Sequence, residues 1–388
     1  MRVVLATDKF KGVFSSAEIA EFISKGMRHA HPKVQIQIKP LADGSEGTAA
    51  VLCRAMEFER FKVTTVDQFE TPMETTLFWQ RSRRIVLIET ASLGRTLPRE
   101  NISTLLLNTN SVGLGICIQK ALELRPKEIW IAAGEPPFLD GGWGLSHALG
   151  LRALDADQQE LEPSFENFSK IISIQYGATT DLHSKVEIKI LSDLNFPVLG
   201  ANLNYYSYLE KIGIPKDLQI QYKNNFERFL KLLQSQLGVK TNLTDPFSGS
   251  SGAILFGLQA LFKKVQATLG AETVAQATSF LSSLSGTDLV VIAAGTLHAH
   301  SLYGKVVSIA SSLAYEKRIP IYGVFGTIPE DAKFLERSLG MEKIYTLFSP
   351  LYKMDSITIK RESPRRFLEM GSQLIEDFCQ RNAQAHAN

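Results

Sequence analysis

Val3-Val4-Leu5-Ala6-Thr7, then Asp8-Lys9-Phe10-Lys11-Gly12, then Ser15-Ser16-Ala17-Glu18-Ile19-Ala20 open the chain, and their order decides the fold class. The first segment is an unbroken apolar run of strand length. Ser15 and Glu18 have capping-box spacing ahead of Ala20, Ile23 and Met27, which recur at helical intervals. Strand, loop and helix therefore follow one another. Val34, Ile36 and Ile38 next alternate with Gln35, Gln37 and Lys39, predicting a strand with one wetter face near a sheet edge, ending in the loop Pro40 to Thr48.

The last third of the chain repeats this alternation. Apolar strands are expected at Leu289 to Ala293, Ile319 to Val324 and Ile344 to Phe348, with helices near 305–316, 330–339 and 364–379 between and after them. Such a pattern predicts an α/β protein with a mostly parallel, doubly wound sheet of Rossmann or flavodoxin type. The middle is less regular. Strands are expected at Phe61 to Val66, Thr75 to Trp79, Ile85 to Ile88, Glu128 to Ala133 and Val186 to Leu191. The clearest helix carries Phe226, Phe229, Leu230, Leu233 and Leu237 on one stripe before Gly238. Two domains result: residues 1–64 with 285–388 form the parallel-sheet domain, and 65–284 form an inserted α/β domain.

A length of 388 residues excludes a single small module. Forty-two basic against 40 acidic side chains leave a net charge of +2, which supplies no electrostatic case for nucleic acid or a membrane surface as partner. Cys53, Cys117 and Cys379 are odd in number and lack zinc spacing, as in a reduced cytoplasmic protein. No leader-like or membrane-spanning apolar stretch is visible.

G-x-x-x-x-G-K-[ST], H-E-x-x-H, C-x-x-C and a G-x-G-x-x-G behind the first strand are all missing, which removes the ordinary P-loop, zincin and dinucleotide readings. What remains is polar and glycine residues at the expected C-terminal ends of strands, where open α/β sheets bind ligands. Asp8 to Gly12 offers a carboxylate and two ammonium groups in one turn, read either as a phosphate and metal loop or as a solvated turn. In Asp43-Gly44-Ser45-Glu46-Gly47-Thr48 the glycines allow an anion close to backbone N–H groups, or Asp43 or Ser45 merely caps a helix. The loop Phe247 to Ala253, with Gly249 and Gly252, is either a backbone cradle or a flexible turn. His298 and His300 read as solvated loop histidines, and Tyr205, Tyr206 and Tyr208 as packing aromatics. A hydrolase using Ser251 and His298 lacks nucleophile-elbow spacing.

V-x-x-A-x-D-x-F-K-G-x-x-S-S-A-E-I-A, followed by P-L-A-D-G-x-E-G-T, resembles the opening of the type I glycerate kinase family. Further similar segments come in the family's order: Ile88 to Gly94, Asn108 to Gly115, Asp140-Gly141-Gly142, Asp193 with Pro197 and Gly200, Asp288 to Val290, and Gly304-Lys305. The resemblance implies a two-domain α/β enzyme that transfers the γ-phosphoryl group of ATP to D-glycerate with Mg2+.

The departures gather where the family keeps polar residues. Its G-G-S-A-T-N-D-G-G is Gly134-Glu135-Pro136-Pro137-Phe138-Leu139-Asp140-Gly141-Gly142 here, and the Asn of D-V-x-N-P is Phe196. Its G-E-G-R-x-D aligns on Ala293 to His298, leaving Ala294, Thr296 and His298 where Glu, Arg and Asp are expected.

On this reading Lys11 is the phosphate cation, and Asp193 is the first carboxylate for Mg2+ or the substrate hydroxyl, with Asp8 and Asp43 beside it. Asp8, Lys11 and Asp193 form the catalytic set, and Asp193 and Asp43 the metal set. Ser45, Glu46, Thr109, Ser111, Gly113, Asp140, Gly249, Gly252 and Lys305 contact phosphate or substrate. The partners are a small hydroxy acid and a nucleotide. The other reading is a weakened family member that binds a nucleotide or acidic metabolite as a sensor, motivated by the three lost charges.

Overall fold

Val3, Val4, Leu5 and Ala6 are all buried, and a strand apolar on both faces needs a neighbour on each side. The computed structural model supplies both; it describes residues 1–10, 12–95, 107–177, 183–201, 203–328, 331–349 and 356–387. Its strands are β1 (Arg2–Thr7), β2 (Gln35–Pro40), β3 (Glu59–Val66), β4 (Pro72–Gln80), β5 (Ile85–Glu89), β6 (Glu128–Ala132) and β7 (Leu151–Leu154). They continue with β8 (Ser173–Tyr176), β9 (His183–Ser192), β10 (Phe262–Leu269), β11 (Leu289–Thr296), β12 (Ile321–Thr327) and β13 (Lys343–Thr346).

The chain divides into two compact units, one of Met1–Asp43, Ala50–Ala55 and Ala271–Asn388, the other of Gly44–Ala49 and Met56–Gly270. These edges differ from 64 and 285. The strand at 59–66 belongs to the second unit because its partner is the local antiparallel β4, in register from Glu59 opposite Trp79 to Val66 opposite Pro72.

In the first unit five strands run in the order β13-β12-β11-β1-β2, all parallel. Val3 to Thr7 face Leu289 to Ala293 on one side, and Arg2 to Thr7 face Gln35 to Pro40 on the other. β2 lies at the edge, in keeping with its wetter face. The strand order reverses between β1 and β11, and the crevice beyond the carboxyl ends of two such strands is the usual ligand site of an open parallel sheet. The helices Ser16–Ala30 and Ser356–Ala387 pack on each other beside this sheet, burying Ile19, Ile23 and Met27 with Phe367, Leu374 and Phe378. The second of these helices starts well before residue 364 and carries Pro364 inside it.

In the second unit the order is β10-β9-β6-β5-β4-β3, parallel from β10 to β5 and antiparallel from β5 to β3. The sequence reads as a helix from Ala253 to Phe262 after the glycine-rich loop; the structure ends that helix at Leu261 and enters β10 directly. β10 escapes the pattern because it is an edge strand with Lys263, Lys264 and Gln266 exposed and only partly buried apolar residues between them. Among the described residues no helix is long and apolar enough to cross a membrane.

The helices Ser16–Ala30 and Ser356–Ala387 cross at glycines. A Cβ on Gly26 would lie 1.9 Å from the Leu368 carbonyl oxygen, and one on Gly371 would lie 2.3 Å from that of Ile23. Alanine is favoured over glycine in a helix by about 1 kcal/mol, so Gly26→Ala ought to stabilise if packing did not matter. We expect a net loss of about 2 kcal/mol from overpacking, read as a lower denaturation midpoint. An unchanged midpoint would show that the helices part without cost.

Candidate active site

Asp8 follows β1, and its backbone N–H donates to the Ala293 carbonyl of β11 at 2.8 Å, so it stands at the point where the strand order reverses. The next residues are anchored by Phe10. Its ring occupies the space over Gly326, where a Cβ would come within 2.1 Å of Cζ, and packs edge-on to Phe367 at 6.0 Å. Any side chain at Gly326 would expel it. Phe10 N–H also donates to the Phe14 carbonyl, and Lys9 N–H donates to Asp8 Oδ1 at 2.7 Å.

Asp43, only 3% exposed, lies in the same unit, with Lys305 Nζ 3.0 Å from its Oδ2 and Lys9 Nζ 3.9 Å from its Oδ1. Burial, and then the charge of Asp43, push the Asp8 carboxyl up from its ordinary 3.8 to about 7, against the opposing pull of Lys9 and Lys305. Two carboxyls and two ammonium groups are thus gathered at one strand end. A carboxyl titrating near neutrality can exchange a proton with a hydroxyl while the ammonium groups hold an anion. Lys305 precedes the helix Val306–Glu316, whose start has no side-chain cap. Of the expected cations Lys305 is in this group, and Lys11 lies outside the described residues. Lys9, in the quoted turn but not selected from it, is the second ammonium; its adjacency to Asp8 was the available signal.

The second unit brings together another set at the ends of β6 and β9. A Cβ on Gly134 would lie 2.9 Å from both the Asp193 Cβ and the Ser45 backbone nitrogen. Gly134 N–H donates to the Gly44 carbonyl, and Ser251 Oγ donates to Ser192 Oγ at 3.1 Å. Asp193 and Ser45 are buried, whereas Glu46 is exposed. Glu89, at the end of β5, accepts from Ala49 N–H at 2.9 Å.

Several expected binding residues are instead committed to the fold. Asp140, 4% exposed, accepts from the N–H groups of Ser111, Gly142 and Gly144 and from Ser111 Oγ, at 2.8 to 3.1 Å. Burial raises its carboxyl against those four donors. Ser111 Oγ in turn accepts from Leu145 N–H, so the pair ties together the starts of the helices Val112–Glu123 and Trp143–Ala148. Neither has capacity left for a phosphate. Gly113 allows that helix to approach β3, a Cβ there meeting the Val66 carbonyl oxygen at 2.0 Å. Thr109, four residues earlier, is buried as well.

The glycine-rich loop is likewise a packing device. A Cβ on Gly249 would meet the Pro197 carbonyl oxygen at 2.5 Å, and one on Gly252 that of Phe138 at 2.4 Å. Ser251, Gly252 and Ala253 are all left-handed, a strained run for two residues with side chains. Tyr205 is fully buried, donating to the Leu139 carbonyl, and Tyr208 stacks on Phe196 at 5.7 Å. The histidine rings of His298 and His300 meet edge to face at 5.5 Å. Among the described residues no group of three or more His, Cys, Asp or Glu is arranged to hold a metal.

Asp140→Ala removes the acceptor of four donors at once. We expect a stability loss of about 3 kcal/mol or more in urea titration, far above the effect of a solvent-facing ligand residue. A variant as stable as the parent would return Asp140 to the ligand set.

Comparison with known proteins covers almost the whole chain. Residues 3–377 match the model of the glycerate kinase family. A glycerate kinase of Neisseria meningitidis serogroup B is 26% identical over 95% of this chain and 96% of its own length. The glycerate 2-kinase of Escherichia coli K12 is 24% identical over 92% of each. A crystal structure described as a putative glycerate kinase 2 from Salmonella typhimurium LT2 has the same fold, with a TM-score of 0.75 and 23% identity over 98% of this chain and 99% of that one. Motifs, fold and coverage agree, and the chain belongs to the glycerate kinase family.

Proposed function

We propose that this protein is a kinase for a small hydroxy acid, D-glycerate or a close relative, with ATP as phosphoryl donor and Mg2+ as metal. The observation that carries this reading is the grouping of Asp8, Lys9, Asp43 and Lys305 beyond β1 and β11. Phosphoryl transfer asks little covalent chemistry of a protein and much positioning and charge neutralisation. Lys305 and the uncapped N–H groups of the helix after it offer donors to phosphate oxygens, and Lys9 adds a second cation. Asp8, poised near neutrality, takes the proton of the attacking hydroxyl. Asp43 holds both ammonium groups in place until an anionic ligand competes for them.

Mg2+ generally binds through one or two carboxylates together with substrate phosphates. Of the two carboxylates expected for it, Asp43 does not fit, because each of its oxygens faces an ammonium group. Asp193, buried after the end of β9 in the second unit, is the carboxylate that would hold the ion. When bound, the ion neutralises phosphate charge.

One observation favours the second reading, a member with weakened turnover. Thr296, where the resemblance expects an Arg, has its Oγ1 3.4 Å from Thr327 Oγ1, so these two positions at the ends of β11 and β12 carry no charge. ADP release measured over a panel of sugar acids, with and without Mg2+, separates the two. Release that depends on glycerate and Mg2+ is the expected result, and nucleotide binding without release for any acid would favour the sensor.

Lys305→Ala should lower kcat/KM at least about 30-fold, corresponding to about 2 kcal/mol of lost charge-assisted binding, and should also lower the melting temperature, because buried Asp43 loses its nearer counter-ion. Full turnover in this variant would remove Lys305 from the site.

The pH profile gives an independent check. With Asp8 as base, log kcat/KM should rise with unit slope as the carboxyl ionises around pH 7. Asp43→Asn should move that limb to lower pH, since it removes a like charge and releases two ammonium groups toward Asp8. Folding runs the other way. A carboxyl raised in the folded chain stabilises fully below its ordinary 3.8, and that contribution is lost as pH rises through about 7. A limb that stays in place in Asp43→Asn would exclude Asp8 as the titrating group.

A further inference from the structure

We propose that a groove along the helix Val306–Glu316 is the subsite for the base and ribose of the nucleotide, an inference that rests on the kinase reading above. The groove has a volume of about 650 Å³, within the range of small-molecule pockets. It starts at Tyr303 and Gly304, immediately before the proposed phosphate cation Lys305, and is lined along the helix by Ser308, Ser311, Ser312 and Tyr315. Residues 308, 311, 312 and 315 recur at helical intervals, so they form one stripe about 10 Å long, roughly the length of a nucleoside.

The stripe alone would be no more than small residues on a helix. Ser311 adds an independent observation: it is 2% exposed, and its Oγ has no hydrogen-bond partner, an unusual state for a buried hydroxyl. A ligand polar atom in the groove would satisfy it. Tyr303 and Tyr315 both line the groove and are 59% and 67% exposed. Tyr315 rests on Gly340, where a Cβ would lie 2.8 Å from the ring, so one side of the ring is supported and its surface is presented to solvent. Stacking surface at both ends, an unsatisfied hydroxyl between them and a phosphate cation one residue beyond match a nucleoside phosphate better than a hydroxy acid, which has no ring to stack.

Calorimetry on the intact protein tests this with ADP, adenosine and inorganic tripolyphosphate as probes. Ser312→Trp fills the groove, and Ser311→Ala removes the hydroxyl without adding bulk. We expect Ser312→Trp to weaken ADP and adenosine at least tenfold and Ser311→Ala to weaken them about fivefold, with tripolyphosphate unchanged in both. ADP binding that is unaffected in both variants, adenosine that does not bind the parent protein at millimolar concentration, or tripolyphosphate lost in parallel with ADP would each overturn the assignment. The kinase reading fails separately: groove-dependent ADP binding without phosphoryl transfer to any hydroxy acid sinks that reading and leaves the subsite standing.

Discussion

The parallel pairing of β1 with β11 is the constraint on which the rest of the first unit depends. Strands from opposite ends of the chain lie side by side, with Val3 opposite Leu289 and Thr7 opposite Ala293. Parallel neighbours cannot be joined by a tight turn, so each needs a crossover. From β1 the chain goes outward to β2, and from β11 it goes outward to β12 and β13, leaving a crevice at the carboxyl ends of the two central strands. Asp8 and Thr296 stand there because they follow β1 and end β11, and Phe10 fixes the Asp8 turn by filling the space that Gly326 leaves open.

Electrostatics sets the character of this crevice. Two carboxyls in a shielded environment resist being ionised together, and the cheapest arrangement leaves one protonated or brings in cations. Here both occur. Asp43 is held between Lys9 and Lys305, while Asp8 retains its proton up to about pH 7. A raised carboxyl and two neighbouring cations are therefore consequences of one crowded arrangement.

The second unit shows how residues at family motif positions can serve the fold. Phe138 and Phe196, which stand where the family has polar residues, are buried, and Phe196 stacks on Tyr208. Asp140 and Ser111 satisfy one another and the helix starts around them. Gly113, Gly249 and Gly252 each admit a neighbouring backbone carbonyl at a distance no Cβ would tolerate.

The one-dimensional pattern determined the element types and the architecture, because burial on both faces of β1 and the 3.6-residue stripe of the helix Lys216–Leu237 are written in local composition. It also determined the family, through motifs spread from Asp8 to Lys305. It could not separate a ligand-facing glycine or carboxylate from one that faces backbone, since both need the same residue in the same loop. That was decided by tertiary structure: Asp140 turns toward four interior donors, whereas Asp43 meets Lys305 from 262 positions away. The edge strand β10 and the unit boundaries near 43 and 270 were decided there too, because strand partners, and not local periodicity, determine which sheet a marginal segment joins.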